Sequence, residues 1–297
     1  MIKNIDEYLD LLKKNLDGCD SATLQDALSD AEEYLRNGLE TAKMTNPNVD
    51  EIEALAPIID EFGSPEEFAA EYKNIEARVR PTFASPTRNY QNRTISNKIF
   101  GIFADPAAWG SLVFMLVSLV TGIIYFTWAV TGLSLSIGLL VLIISLPFIG
   151  LFFLSVRGIG LVEGRIVEAL LGVRMPRRPV FVDSKIGWWG RFKVLFTSKH
   201  TWLTIAYMIL MLPLGVIYFS VFITLISLAL AFIAAPFAQL FLSFPLITIN
   251  TGQYYISPQL GLFSGFIGLV IAIGTLHLAR LIGRFHGSLA KAMLVSE

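Results

Sequence analysis

The sequence predicts an all-α protein: a small cytoplasmic helical bundle followed by a polytopic α-helical membrane domain of two parallel repeats. Three observations predict this. Residues 1–80 hold 19 acidic and 8 basic side chains, a net of −11, whereas residues 81–297 hold 5 and 15, a net of +10. Two runs carry no Asp, Glu, Lys or Arg, from Trp109 to Val156 and from Trp202 to Ala279. Each exceeds the roughly 20 apolar residues that cross a bilayer as a helix. Finally, the chain matches itself at an offset of 93: Trp109 falls on Trp202, Met115 on Met208, Gly122 on Gly215, Tyr125 on Tyr218 and Phe126 on Phe219. A Pro-Phe pair follows in each copy, Pro147-Phe148 and Pro236-Phe237, once a gap is allowed.

The acidic part reads as four helices. Ile5, Leu9, Leu12 and Leu16 recur at helical spacing. Asp20 or Ser21 caps a second segment, in which Leu24, Leu28, Ala31, Leu35 and Leu39 form the apolar stripe. Asn46-Pro47-Asn48 ends that segment. A third helix stops at Gly63. Ser64, Pro65 and Glu67 then supply a capping box with proline at the first helical position. The phrases YLDLLKKNL, AEEYLRNGLE and IIDEFGSPEEFAAEY resemble the bacterial HAAS signalling domain over about residues 1–75. That resemblance implies a cytoplasmic signalling or adaptor module that binds a protein partner and is not a catalyst.

Residues 81–108 read as a linker whose Arg88, Arg93 and Lys98 lie just before the first membrane segment. Residues 109–156 form the first repeat, a hairpin of two helices turning at Thr131-Gly132. Cations on both flanks place its ends in the cytoplasm. Residues 157–200 are basic and rich in aromatics, and are expected to lie in the headgroup layer as amphipathic pieces. Arg174, Arg177, Arg178, Lys185, Trp188, Trp189, Arg191 and Lys193 are its candidate lipid-headgroup or head-docking residues. Its place between two membrane hairpins favours lipid over nucleic acid. The second repeat, about 201–249, crosses by residue 225 and continues as a broken segment interrupted by Pro236 and Pro245. A final helix at about 260–281 returns the chain to the cytoplasm.

This half resembles the sensor domain found ahead of some bacterial histidine kinases, over about residues 105–290. The resemblance rests on WGSLVFMLVSLVTGIIYF, GLVEGRIVEALLGV and TWLTIAYMILMLPLGVIYF. Val120 replaces the first copy's proline, and Gly164 separates Glu163 from Arg165. No kinase follows within the sequence, so a signal is expected to leave by another route.

Catalytic patterns are not found. His200, His277 and His286 lack carboxylate or Cys neighbours at ligand spacing, and Cys19 is the sole cysteine. No metal or cofactor is expected. His200 and His286 read as interface residues, and His277 as an intramembrane candidate. The charge-free membrane runs disfavour ion-coupled transport. The doubled Gly-x-Ile-Tyr-Phe leaves two readings. Gly122 and Gly215 let helices pack closely, or they flank a ligand cavity with Tyr125 and Tyr218. The expectation is a non-enzymatic sensor of the bacterial inner membrane that couples an envelope cue to a cytoplasmic partner, with homo-oligomerisation open. A permease-like or lipid-handling protein is the alternative.

Overall fold

A computed structural model describes residues 2–47, 49–78, 99–139, 145–177, 196–242, 247–249, 252–254 and 257–295. The helices of the N-terminal head are α1 (Ile5–Asn15), α2 (Ser21–Thr45), α3 (Glu51–Phe62) and α4 (Pro65–Arg78). Their ends follow local chemistry. Asn4 and Asp20 accept backbone N–H groups as N-caps of α1 and α2, satisfying donors that a helix start leaves free. Gly63 ends α3 at φ 103°, a conformation that suits glycine. Tyr8, Leu12, Leu16, Leu35 and Leu55 fill the core. The Tyr8 hydroxyl donates to the Gly63 carbonyl at 2.9 Å and pins the α3–α4 corner to α1. Burial, and then nearby Glu66 and Glu67, hold that phenol well above its usual pKa.

The capping box is fully formed. The Ser64 N–H donates to Glu67 Oε2 at 3.1 Å, and the Glu67 N–H donates to Ser64 Oγ at 3.3 Å. The Ser64 N–H, then its hydroxyl, lower the Glu67 pKa below the usual carboxylate range. A depressed folded pKa adds stability that is complete above the ordinary carboxylate value and is lost as pH falls through the depressed one. Hydrogen exchange over residues 64–72, corrected for intrinsic rates, should lose protection through that acid window in the native chain. Glu67→Gln should flatten this response, and an identical pH dependence in both proteins would refute the assignment.

Beyond a short 3₁₀ turn, Gly101–Ala104, four long helices follow: α5 (Pro106–Gly138), α6 (Ser145–Leu171), α7 (Lys199–Leu242) and α8 (Pro258–Leu294). All four are long and apolar enough to cross a membrane. Between α7 and α8 lies a two-stranded antiparallel ribbon, β1 (Ile247–Ile249) and β2 (Gly252–Tyr254). It is the one departure from all-α structure among the described residues.

Four boundaries differ from expectation, the first being the final helix, which runs over Pro258–Leu294 rather than about 260–281. Thr131-Gly132 is helical, because Gly132 makes room for the Phe152 ring of α6, and the turn falls after Gly138. GLVEGRIVEALLGV is the continuation of α6 as far as Leu171 rather than a separate headgroup-layer helix. Likewise α7 runs unbroken past residue 225 and through Pro236. Proline costs the helix one bond by freeing the carbonyl four residues back. Here the Ser264 hydroxyl of α8 donates to the Gly261 carbonyl at 2.7 Å and only approaches the freed carbonyl, on Phe232, at 3.4 Å. Pro147 opens α6 while Pro236 sits inside α7, so the two Pro-Phe pairs are not structural equivalents.

Candidate functional site

Within the apolar core of the four long helices runs a polar chain. Glu163 of α6 is 1% exposed. Its Oε2 accepts from the Tyr125 hydroxyl of α5 at 2.9 Å, and its Oε1 accepts from the Tyr207 hydroxyl of α7 at 2.8 Å. The Tyr207 oxygen lies 2.9 Å from His286 Nε2 of α8, and the Tyr218 hydroxyl lies 3.4 Å from His286 Nδ1. With Glu163 ionised it only accepts, which would turn the Tyr207 hydrogen to Glu163, leave Nε2–H to donate to the Tyr207 oxygen and Nδ1 to accept from Tyr218. One chain of polar contacts joins all four helices. Phe114 packs on the His286 ring with centroids 4.7 Å apart.

Equivalent contacts recur on both sides of this centre. Trp109 Nε1 donates to the Phe103 carbonyl, and Trp202 Nε1 to the Phe196 carbonyl, at 2.9 and 2.8 Å. Gly122 lies against the backbone of Met211 and Leu212, while Gly215 lies against Ser118 and Leu119. A Cβ on Gly122 would meet the Met211 carbonyl oxygen at 2.5 Å, so these helices touch main chain to main chain. The two glycines thus face closed backbone contacts, and the Tyr125 and Tyr218 hydroxyls engage Glu163 and His286. A second self-match pairs α6 with α8 at an offset of 123: R157-x-I-G-x-x-E-G on R280-x-I-G-x-x-H-G. It places Glu163 on His286 and Gly160 on Gly283. Accordingly Gly160 contacts Thr204 and Gly283 contacts Ser111, residues that are themselves 93 apart.

Sequence reasoning missed Glu163, Tyr207 and His286. The sequence pattern suggests the headgroup layer for Glu163 and an interface for His286, yet both are buried between helices. The available signal was the 123-residue match, which the 93-residue register cannot reveal. His277, the expected intramembrane candidate, takes no part in the chain.

A second polar cluster joins the head to the long helices. Asp26 of α2 is 2% exposed. Its Oδ2 accepts from Arg174 at 2.9 Å, and its Oδ1 accepts from the Arg177 backbone N–H at 2.7 Å. Glu168 of α6, also buried, accepts from Arg174 and Arg177 at 3.3 and 3.1 Å and from Arg165 at 3.2 Å. Asp20, the N-cap of α2, pairs with Lys291 of α8. Of the predicted docking residues, Arg174 and Arg177 therefore meet the head. Arg178, Lys185, Trp188, Trp189, Arg191 and Lys193 lie outside the described residues.

The two clusters share helices. Glu163 and Glu168 lie on α6, and His286 and Lys291 on α8, each pair about one turn apart.

The HAAS family model matches residues 7–71, and the Sensor family model matches residues 114–294. These are sensor and signalling families, not enzyme families. No curated protein and no solved structure matches the chain. With more than half its length inside the Sensor match and four helices suited to a bilayer, the chain belongs to the Sensor family of membrane proteins and carries a HAAS domain ahead of it.

Proposed function

We propose that this protein senses a cue at the bacterial cytoplasmic membrane and reports it by holding or releasing its own HAAS head. Both termini lie in the cytoplasm in this reading, which the basic residues flanking each apolar run support. The cue alters packing between the α5–α6 and α7–α8 hairpins. The chain through Glu163 and His286 registers that change, because all four helices meet there. The basic segment 157–200 passes it to the head, and the free head binds a cytoplasmic signalling protein. Catalysis has no part in the scheme.

One observation carries the reading: the buried Asp26 carboxylate held by the Arg174 guanidinium and the Arg177 N–H. An acidic head docked on a basic patch of its own chain is a two-state element that a cue can bias. Pull-downs from native membranes, with the full chain and with a chain lacking residues 1–80, test it. A cytoplasmic protein captured by the full chain and lost with the head is the expected result. The same membrane partners or lipids with both chains would instead place the function in the four long helices, as in a lipid-handling protein.

A further inference from the structure

The doubled framework is asymmetric at one point. Asp105, the N-cap of α5, accepts from the Ala107 N–H at 3.2 Å and pairs with Arg280 of α8 at 2.8 Å. Its carboxylate thus sits between a guanidinium and a helix start. The matching contacts of Trp109 and Trp202 fix the equivalent place in the other half. There the acid is replaced by Ser198, just before α7, and Arg280 is replaced by Arg157 of α6. The guanidinium is kept and its carboxylate is gone.

What surrounds Arg157 makes that loss matter. Its Nε, like that of Arg280, is buried without a hydrogen-bond partner among the described residues; what has no counterpart in the other half is the equally unpartnered Nδ1 of His200, in the first turn of α7. Arg157 and His200 line one cleft with Gly160, Gly164, Thr204 and, from the head, Gln25. A partly desolvated cation without a counter-charge is unfavourable, and an oxyanion beside it would remove the cost. Arg157 is also the first charged residue after the apolar run that begins at Trp109.

We propose that an oxyanion, a phosphate group, binds at the open mouth of the cleft between Arg157 and His200, in the place that Asp105 fills by itself in the other half. The phosphate belongs to an anionic phospholipid headgroup or is free in solution. Gln25 lies one residue before Asp26, so the bound phosphate touches the head at its attachment point. That regulatory consequence rests on the docked-head reading; the binding does not.

The test uses the full chain in phosphatidylcholine nanodiscs, with thermal unfolding as readout because a ligand of the folded state raises its midpoint. One arm adds inorganic phosphate and the other replaces part of the lipid with phosphatidylglycerol. A rise with phosphate alone assigns a soluble ligand, and a rise only with phosphatidylglycerol assigns the headgroup. Either supports the site if Arg157→Gln weakens the response at least tenfold. Ser198→Asp supplies the missing carboxylate, so it should raise the midpoint without ligand and abolish the response. It also covers the case in which Arg157→Gln does not fold. No response in either arm, or a response that survives Ser198→Asp, overturns the proposal. The pull-down result is independent of these outcomes.

Discussion

Replacing Asp26 by asparagine is expected to free the head while leaving both halves of the chain folded. Asp26 and Arg174 are only 2% and 9% exposed, so their pair is desolvated. Removing one partner of a buried ion pair costs about 3–5 kcal/mol, because the other charge stays buried. Glu168 still neutralises Arg174 in part, which places the loss near the lower figure. The Arg177 amide donates straight to Asp26 and reports the contact directly. Its exchange should accelerate on the order of a hundredfold, given about 1.4 kcal/mol per tenfold. Lys291→Ala removes a more exposed pair with Asp20 and should cost less than about 1 kcal/mol. Salt should erode the Lys291 contribution and barely affect that of Asp26. Unchanged Arg177 exchange in Asp26→Asn would mean that the head is held by other contacts.

Alanine at Gly122 or Gly215 is expected to separate the two hairpins, although it adds only one methyl group. At each position that methyl meets a carbonyl and a Cα of the opposing main chain, which cannot rotate away as a side chain would. Overpacking of this kind costs about 1–3 kcal/mol per site. Valine should do more damage than alanine. Gly274→Ala in α8 is the control, since its added methyl has nothing within 4 Å. Thermal stability in detergent should fall for the first two variants and stay constant for the third. Equal behaviour of all three would remove main-chain contact as the reason for the conserved spacing of the two copies within this chain.

The head was readable in detail because its boundaries are written in local chemistry. Asp20, Gly63 and the Ser64–Glu67 box each act within a few residues of themselves. The long helices were readable as membrane segments from missing charge alone, which says nothing about where a helix bends or stops. Gly132 looked like a turn because glycine opens space; here Phe152 of another helix occupies that space. Pro236 looked like a break because its cost is local, while Gly261 and Ser264 of α8, which pack beside it, come from 25 and 28 positions later. Glu163 was the costliest miss. Its neighbours Val162 and Ile166 fit an amphipathic helix lying on a membrane, and nothing nearby in sequence announces Tyr125, Tyr207 or His286. Only the α6-to-α8 register shows it, and that register differs from 93 because the second hairpin has longer arms and a longer connection between them.

Those longer arms bear on how the protein sits in lipid. At 1.5 Å per residue the 44 residues of α7 extend about 66 Å, roughly twice the hydrocarbon thickness of a bilayer. A rod of that length cannot stand upright in lipid without projecting apolar surface into water. Holding all of it within lipid requires a tilt, and the shorter α5, with 33 residues, requires less. Because α5 and α7 meet main chain to main chain at Gly122 and Gly215, the two lengths cannot be accommodated by independent tilts. The contacts through Glu163 and His286 tie α6 and α8 to the same pair.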